Sequence, residues 1–295
     1  MSPLNGLEAS DPSGLDRRVV AVKVDNHADA RPQSGLEQAP AVFEIQVEGG
    51  ISRFIALFHD TDVEFVGPMR SARPTDIGMI KPLGATFFVS GMQPWVRELY
   101  QEAGIYLLED VRPASFRNPD RSAPHNLYAN TVLVREEADR MEFPDEPPPP
   151  LFTWGVPSGG SPAREIEFDW SSGFQVIWRW DGSRYLRFTG SEPHNSTSPD
   201  FETEEQLSAD TLVVLFGERY SARSAGSGTA VPATETVGTG SALVFSDGIV
   251  HEGTWARDSI EETFTLSGPN GQALPVPPGK LWVVVFPDDR TVEWS

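Results

Sequence analysis

Short runs of apolar or alternating residues recur along the chain, and each ends at glycine, proline or a polar cluster, which predicts many short strands. The clearest are two hairpins whose alternating runs meet at Asp181-Gly182 and at Asp247-Gly248, because Asp-Gly is a favoured two-residue turn. A third hairpin is predicted around Gly49-Gly50. The predicted strands cover residues 19–24, 41–48, 52–59, 64–70, 85–90, 105–108, the arms within 174–188 and within 242–255, and 281–286.

Helical patterns are confined to the first half of the chain. Residues 74–83 begin with a proline in the first turn and carry Asp76 near the N terminus, and both features favour a helix start. Helices are also predicted at 93–103 and 131–141, whereas no long helical pattern follows Ser208. We therefore predict an α+β protein, with a mixed α/β N-terminal domain and a smaller, mostly β C-terminal domain.

A change in composition divides the chain. Residues 144–163 contain the four-proline run Pro147–Pro150 and a stretch rich in glycine, serine and proline, which is typical of a semi-rigid linker. The predicted organisation is a lead-in at 1–18, an α/β domain carrying the candidate site at 19–143, a Pro/Gly-rich linker at 144–163 and a β-rich domain at 164–295.

The formal net charge of −20 indicates that nucleic acid is not a partner and that anionic membrane surfaces repel the protein. The absence of cysteine excludes disulfides, thiolate nucleophiles and Cys-ligated metals. No apolar run approaches the roughly 20 residues of a membrane span, and polar sequence rather than a signal peptide follows Met1. The protein is therefore expected to be either cytoplasmic or exported with its signal removed.

The common catalytic motifs are absent. The sequence contains no Gly-Lys-Ser/Thr phosphate loop, no dinucleotide-binding fingerprint, no nucleophile elbow around a serine and no calcium loop. These absences remove the commonest enzyme classes from consideration.

The segment from Asp25 to Arg73 places polar side chains where predicted strands end. Short strands in one sheet would bring these ends together, which is how open sheets assemble ligand sites. Arg70 and Arg73 flank small residues before a predicted helix, where two guanidinium groups and free helix N–H groups would receive an anion. The candidate ligand-binding residues here are Asn26, Arg31, Arg53, Arg70, Ser71 and Arg73.

The same segment allows a purely structural interpretation. It contains eight acidic residues against four arginines, so the arginines could all be used in internal ion pairs. Alternatively, a divalent metal held by two carboxylates and bridging a phosphate would use charges of both signs.

A second polar loop, Arg121 to Asn126, adds His125 and Asn126 to the candidate ligand-binding residues. His125 could act as a general acid or base near neutral pH, although a hydrogen-bonded loop histidine is the commoner case. His194-Asn195 is interpreted as a turn. Four tryptophans could line a sugar-binding face, but at strand spacing they are more often core residues: Trp178, Trp180, Trp255 and Trp282.

Several long motifs stand in order along the chain: VKVDNHADARPQSGL, VFEIQVEGGISRFIALF, VGPMRSAR, RSAPHNLYAN, GSALVFSDGIVHEGTW and PPGKLWVVVFP. Together they resemble the YerB-like lipoproteins of bacteria, a family of unknown function, from Leu4 onward. The resemblance implies a lipid-anchored, extracytoplasmic cell-envelope protein with an α/β N-terminal and a β-rich C-terminal region. We expect the lipid-bearing cysteine and signal peptide to precede Met1 in the full-length protein.

The order of an Asp-Arg loop, a strand pair and the Pro-Met-Arg-Ser-Ala-Arg segment is also similar to that of the LytR-CpsA-Psr phosphotransferases. This likeness implies that Arg31, Arg53, Arg70 and Arg73 bind a pyrophosphate. It further implies that Asp25, with Glu48 or Asp76, holds a magnesium ion.

Three functions remain open on the sequence. The first is an envelope protein that binds an anionic, phosphate-bearing ligand, and the second is a metal-assisted phosphotransferase acting on lipid-linked glycan. The third is a scaffold without a small ligand, which would dock a protein partner on an exposed face around Trp178 and Trp180.

Overall fold

A computed structural model describes residues 1–9, 12–223 and 229–295. Of these residues, 41% lie in strands or bridges and 14% in helices, so the protein is sheet-rich. The helices are α1 (Pro74–Ile80), α2 (Pro94–Glu102) and α3 (Thr131–Arg140), with short 3-10 turns at Pro12–Asp16, Ala28–Ala30, Glu48–Gly50 and Lys81–Leu83. Among the described residues, no helix combines the length and apolar character that a membrane crossing requires.

The strands of the first half of the chain are β1 (Val20–Val24), β2 (Ala41–Gln46), β3 (Ser52–Phe58), β4 (Thr86–Val89), β5 (Tyr106–Glu109), β6 (Ser115–Arg117) and β7 (Leu127–Ala129). Those that follow are β8 (Ser161–Pro162), β9 (Glu165–Ser171), β10 (Phe174–Trp180), β11 (Tyr185–Thr189), β12 (Glu192–Pro193), β13 (Asn195–Thr197), β14 (Glu204–Gln206), β15 (Ser208–Ala209), β16 (Thr211–Gly217), β17 (Arg219–Ala222), β18 (Val231–Thr234), β19 (Gly238–Ser246), β20 (Ile249–Arg257), β21 (Thr265–Ser267), β22 (Leu281–Pro287) and β23 (Val292–Trp294).

One sheet of 11 strands runs through the whole molecule in the order β21-β20-β19-β16-β22-β2-β3-β1-β4-β5, with β8 attached to β20. Strand β22 lies parallel to both β2 and β16 and so joins the two halves of the chain. A second sheet has the order β12-β11-β10-β9-β23, with β15 attached to β11.

The main sheet is covered on both faces. On what we call the helix face, Ile77 and Ile80 of α1 and Val96 of α2 pack against Phe43 and Ile55. On the opposite face, which we call the sandwich face, the second sheet packs and Trp178 meets Trp282 edge-on with ring centroids 5.1 Å apart. Because the central strands are buried on both faces, β1, β2 and β22 are buried along their full length.

Most of the predicted elements are present. Strand β2 pairs with β3 across the Gly49-Gly50 turn, β10 with β11 across Asp181-Gly182, and β19 with β20 across Asp247-Gly248. The three predicted helices correspond to α1, α2 and α3. The strand predicted at 64–70 is wrong, since only isolated bridges form there, at Val66, Gly67 and Met69. The segment contains Pro68, which has no N–H group to donate to a strand ladder.

The main sheet contains strands from both predicted domains, because β22 from the C-terminal region lies beside β2 from the N-terminal region. Strands of the N-terminal region therefore share one sheet with strands of the C-terminal region. The predicted linker at 144–163 also packs against the protein: Leu151 and Phe152 are buried, and the Leu151 amide donates a 2.9 Å hydrogen bond to the Pro3 carbonyl. The four sequence ranges remain a prediction about folding units.

Candidate functional site

The candidate site lies where β1 and β4 end and β3 begins. The segment after Pro68 enters this space: the Arg70 amide donates to the Lys23 carbonyl at 2.9 Å, and the Ser90 amide donates to the Arg70 carbonyl at 3.1 Å. These bonds fix Arg70 beside the end of β1, so its side chain reaches Asp25. The prediction that strand ends bring Asp25, Arg53 and Arg70 together agrees with this geometry.

The main sheet separates the candidate residues into two groups, because successive side chains of a strand point to opposite faces. Lys23 and Arg53 belong to the helix face, with their strand neighbours Ala21 and Ile55. Glu44 and Ser52 belong to the sandwich face, with Val42 and Phe54. A single site containing all the predicted residues therefore does not form.

Three arginines share two carboxylates on the helix face, and we call Arg53, Arg70 and Arg73 the arginine cluster. The Nε of Arg70 donates to Asp25 Oδ2 at 2.7 Å, and the Nε of Arg73 donates to Glu48 Oε2 at 2.8 Å. Among the described residues, Arg53 has no such close partner: its Nε lies 3.9 Å from Asp25 Oδ1 and makes no hydrogen bond. The three side chains are 14%, 20% and 11% exposed respectively, so the cluster is accessible from one side.

The charges within the cluster shift the pKa values of its members. Burial alone would raise the pKa of Asp25, but the positive charges of Arg70 and Arg53 lower it below its ordinary value. For Arg53, burial and the charge of Arg73 lower the pKa to about 10. Arg53 thus stays protonated at neutral pH in surroundings that disfavour its charge, and a bound anion would relieve this.

The metal site implied by the phosphotransferase likeness does not form. Asp76 is fully buried, its Oδ1 accepts from the Lys23 ammonium at 2.7 Å, and its Oδ2 accepts from the Arg73 amide at 2.8 Å. Both oxygens are therefore occupied, and a cation already stands at the carboxylate. Asp25 and Glu48 are each bound to an arginine, so the set Asp25, Glu48 and Asp76 does not fit magnesium.

The first turn of α1 offers no anion site either, which corrects the expectation that free helix N–H groups would join Arg70 and Arg73. Helix α1 is buried over its full length, and the Asp76 carboxylate already accepts the amide of the residue preceding the helix. The anion-binding capacity of this region therefore depends on side chains alone.

Lys23 gives the protein a specific pH dependence. Burial lowers its pKa to about 8, although the Asp76 carboxylate acts in the opposite direction. In the unfolded chain, the lysine pKa returns to about 10.4. Between these pH values the unfolded chain binds more protons than the folded one, so the free energy of unfolding rises with pH.

We expect urea unfolding of the wild-type protein to show this rise between pH 8 and pH 10, relative to the double variant Lys23→Met/Asp76→Asn. The double variant removes both titrating groups, so it serves as the reference for all other ionisations. Parallel pH profiles of the two proteins would contradict the assigned pKa.

Arg31 and Asn26 are directed away from the arginine cluster. The Nη2 of Arg31 donates to the backbone carbonyl of Asn26 at 2.9 Å, and the side-chain Nδ2 of Asn26 donates to Ser52 Oγ at 3.0 Å. Ser52 Oγ in turn donates to Glu44 Oε1 at 2.5 Å. These predicted ligand-binding residues therefore belong to a buried polar network on the sandwich face.

Glu44 and Arg187 form the centre of that network. Arg187 Nη2 donates to Glu44 Oε1 at 2.6 Å, Trp282 Nε1 donates to Glu44 Oε2 at 2.7 Å, and the Arg187 and Glu44 side chains are 0% and 1% exposed. The Arg187 guanidinium also lies over the rings of Phe54 and Trp178, at 5.1 and 5.8 Å. The network thus joins the two sheets through a buried ion pair that the sequence analysis missed.

His194 belongs to the same network and not to an exposed turn. It accepts a hydrogen bond from Arg187 at Nδ1, and its Nε2 lies 2.8 Å from Gln33 Oε1. Burial and the charges of Arg187 and Arg31 hold the pKa of His194 well below its ordinary value, so the ring is neutral. The sequence offered no local signal for this contact, since His194 and Gln33 are 161 residues apart.

The remaining predicted ligand-binding residues differ in their positions. His125 reaches the cluster, with its Nδ1 2.8 Å from Asp25 Oδ2. Ser71 contributes its backbone carbonyl, which accepts from Arg53 Nη1 at 3.3 Å. Asn126 points elsewhere and accepts from Arg117 Nη1 at 2.7 Å.

The tryptophan face predicted as a possible docking surface is part of the core. Trp178 and Trp282 are fully buried and Trp255 is 2% exposed, while Trp180 is half-buried against Tyr185. The core interpretation is confirmed for Trp178, Trp255 and Trp282, so an exposed tryptophan face of the kind that the scaffold hypothesis needs is not present among them.

Comparison with known proteins identifies the family. Residues 4–144 match the family described as "Protein of unknown function (DUF3048) N-terminal domain", and residues 165–283 match the corresponding C-terminal domain. Since the two matches cover most of the chain, the protein belongs to this family.

One relative and one solved structure extend this finding. The chain is 26% identical over 293 residues to "Putative lipoprotein YerB" of Bacillus subtilis, covering 97% of this chain and 86% of the relative. The crystal structure of the YerB protein from Bacillus subtilis superposes with a TM-score of 0.84 at 23% identity, over 99% of both chains. The resemblance inferred from the motifs is thus confirmed, and the structural likeness shows a shared fold.

Proposed function

We propose that this protein is an extracytoplasmic, lipid-anchored protein of the bacterial cell envelope that binds an anionic, phosphate-bearing ligand at the arginine cluster. The location is supported by the name of the Bacillus subtilis relative, which describes a lipoprotein. The ligand class is supported by the arginine cluster itself, where planar guanidinium donors match the geometry of phosphate oxygens.

The observation that carries the proposal is the charge balance of the cluster. Asp25 and Glu48 each bind one arginine closely, while Arg53 remains at 3.9 Å from Asp25. A buried or half-buried charge without a close partner is costly, and internal pairing therefore does not account for all three arginines. One further negative charge, supplied by a ligand, would complete the set.

Glu48 occupies the position from which a ligand would approach. It lies in the turn between β2 and β3, its side chain is 36% exposed, and its carboxylate binds Arg73. Burial would raise the pKa of Glu48, but its hydrogen bond with Arg73 lowers it, so the carboxylate is ionised and competes with a phosphate oxygen. Displacing this exposed side chain would open Arg73 to the ligand.

The phosphotransferase alternative loses support because its metal ligands do not converge, as described for Asp76. We therefore propose binding and not group transfer.

Isothermal titration of the full chain with inorganic pyrophosphate tests the proposal. We expect Arg53→Met to weaken binding roughly 10- to 100-fold, because a charge-assisted hydrogen bond contributes about 1.5–3 kcal/mol. Glu48→Gln should strengthen binding, because it removes the competing charge. Arg179→Met is the matched control, since Arg179 lies in the second sheet and pairs with Glu165 at the surface.

Arg53→Met is more informative than a change at Arg70 or Arg73. Those two arginines hold Asp25 and Glu48, so their removal would also leave a carboxylate unpaired. Equal pyrophosphate affinity in wild type and Arg53→Met, or no binding by the wild type at millimolar concentration, would refute the proposal.

A further inference from the structure

Two histidines and an aspartate from separate loops meet on the solvent side of Asp25. His27 and Asp29 follow β1, and His125 lies in the loop between β6 and β7. One potential ligand atom from each lies within 4.8 Å of the other two, and in the described part of the chain no other three histidine or acidic side chains meet in this way. The two imidazole rings stack with centroids 5.1 Å apart.

We propose that His27, Asp29 and His125 bind a divalent transition-metal ion such as Zn²⁺. Two imidazoles and one carboxylate are three protein ligands of the kind that zinc accepts, and they leave one position open to water or a ligand. Because imidazole favours zinc, nickel and copper over magnesium and calcium, the expected metal differs from the magnesium ion that the sequence likeness implies.

Asp25 contacts the imidazole of His125 and the backbone of His27. Its Oδ2 lies 2.8 Å from His125 Nδ1, and its Oδ1 accepts the backbone amide of His27 at 3.1 Å. Because Nδ1 of His125 is engaged by Asp25 and also lies 3.2 Å from Arg70 Nη2, Nε2 is the ring nitrogen that remains for a metal. A carboxylate behind a metal-binding imidazole is a common arrangement that fixes the ring and raises its basicity.

Arg121 holds the two loops together. It belongs to the His125 loop, and its guanidinium donates to the carbonyls of Asp29 and Pro32 at 2.9 Å each and to the Arg31 carbonyl at 3.2 Å. The backbone on both sides of the site is therefore fixed before any metal binds.

The ligands can close on a metal without disturbing the core. In a tetrahedral zinc site, bonds of about 2.0–2.1 Å place ligand atoms roughly 3.3 Å apart. The side chains of His27 and Asp29 are 52% and 74% exposed, so their ligand atoms can close from 4.8 Å to this spacing. His27 Nδ1 accepts the Asp29 amide at 3.2 Å, and His125, 13% exposed, is held by Asp25.

The local charges permit a cation. Arg70 Nη2 lies 3.2 Å from His125 Nδ1, and this positive charge opposes a metal. Asp25 and Asp29 supply two negative charges against those of Arg70 and Arg121. The strongly acidic protein as a whole, with a net charge of −20, also attracts divalent cations.

Titration of the full chain with zinc chloride at pH 7.5, in a buffer that does not bind metals and without added phosphate, tests the proposal. We expect one equivalent to bind, with at least 100-fold weaker binding of magnesium. His27→Ala should weaken zinc binding at least tenfold, and so should Asp29→Asn, whereas the control Asp120→Asn, an exposed aspartate in the His125 loop, should not.

Histidine ring NMR signals provide a second measurement. Zinc should shift the signals of His27 and His125 and leave those of His59, His194 and His251 in place. Zinc affinity that is unchanged in His27→Ala and Asp29→Asn, or shifts confined to other histidines, would overturn the proposal. Arg179→Met, a change at the surface of the second sheet, should bind zinc as the wild type does.

Discussion

Replacing Glu44 with glutamine should lower the free energy of unfolding by about 3–5 kcal/mol, because it leaves the fully buried Arg187 guanidinium without a carboxylate. Glutamine has one acceptor oxygen in place of two, whereas the native carboxylate accepts from Arg187, Ser52 and Trp282. The amide NH₂ of the new residue would also face donors. Urea unfolding at pH 7 measures the loss.

Glu165→Gln is the matched control for this variant. Glu165 pairs with Arg179 at 2.6 Å, the same distance as the Glu44–Arg187 pair, but both side chains are about half exposed. Exposed pairs contribute about 0–1 kcal/mol, so the two glutamine variants should differ by several kcal/mol. A loss below 1 kcal/mol in Glu44→Gln would show that the inter-sheet network is not a stabilising link.

Asp76→Asn should also lower the free energy of unfolding by about 3–5 kcal/mol at pH 7. Asp76 and Lys23 are both 0% exposed and lie 2.7 Å apart, so the variant leaves an ammonium group buried without its counter-charge. The asparagine oxygen can still accept the Arg73 amide, so the helix cap is retained and the loss reports the ion pair.

The control for this pair is Glu261→Gln, which removes the exposed partner of Lys81. We expect it to change stability by less than about 1 kcal/mol. If Asp76→Asn were no more destabilising than this control, Lys23 and Asp76 would not form a charged pair in the folded protein. The pH dependence of stability that we predict from Lys23 would then be contradicted as well.

The sequence predicted the local elements of the fold well, because strands, hairpins and helices depend on short patterns. Asp181-Gly182 and Asp247-Gly248 specify their turns directly, and the proline at residue 74 begins α1. The position of β22 between β2 and β16 depends instead on pairing between strands about 240 and 70 residues apart. No local pattern contains this information.

The candidate site was predicted in part for the same reason. Asp25, Arg53 and Arg70 meet because they stand at strand ends, and this followed from the sequence. Arg31 did not join them, because it lies in the loop after β1, where its guanidinium is bound to Asn26. One usable signal was overlooked: Lys23 stands within an otherwise apolar strand, which indicates a buried and therefore paired lysine.

The structure also changes which residue matters most for ligand binding. From the sequence, Arg70 and Arg73 are the expected contacts, but each is engaged by a carboxylate. Arg53 lacks such a partner, and its lowered pKa reflects burial and the neighbouring charge of Arg73. The central claim is therefore that Arg53, supported by Arg70 and Arg73, provides the unmatched positive charge for an anion.

A crystal structure determined from crystals of the full chain that have been soaked with inorganic pyrophosphate tests this claim most directly. The account predicts density for the anion in contact with the guanidinium groups of Arg53 and Arg73, with the Glu48 side chain displaced toward solvent. Density at other surface arginines with the arginine cluster unchanged, or a cluster that stays closed by Glu48 at saturating pyrophosphate, would contradict it.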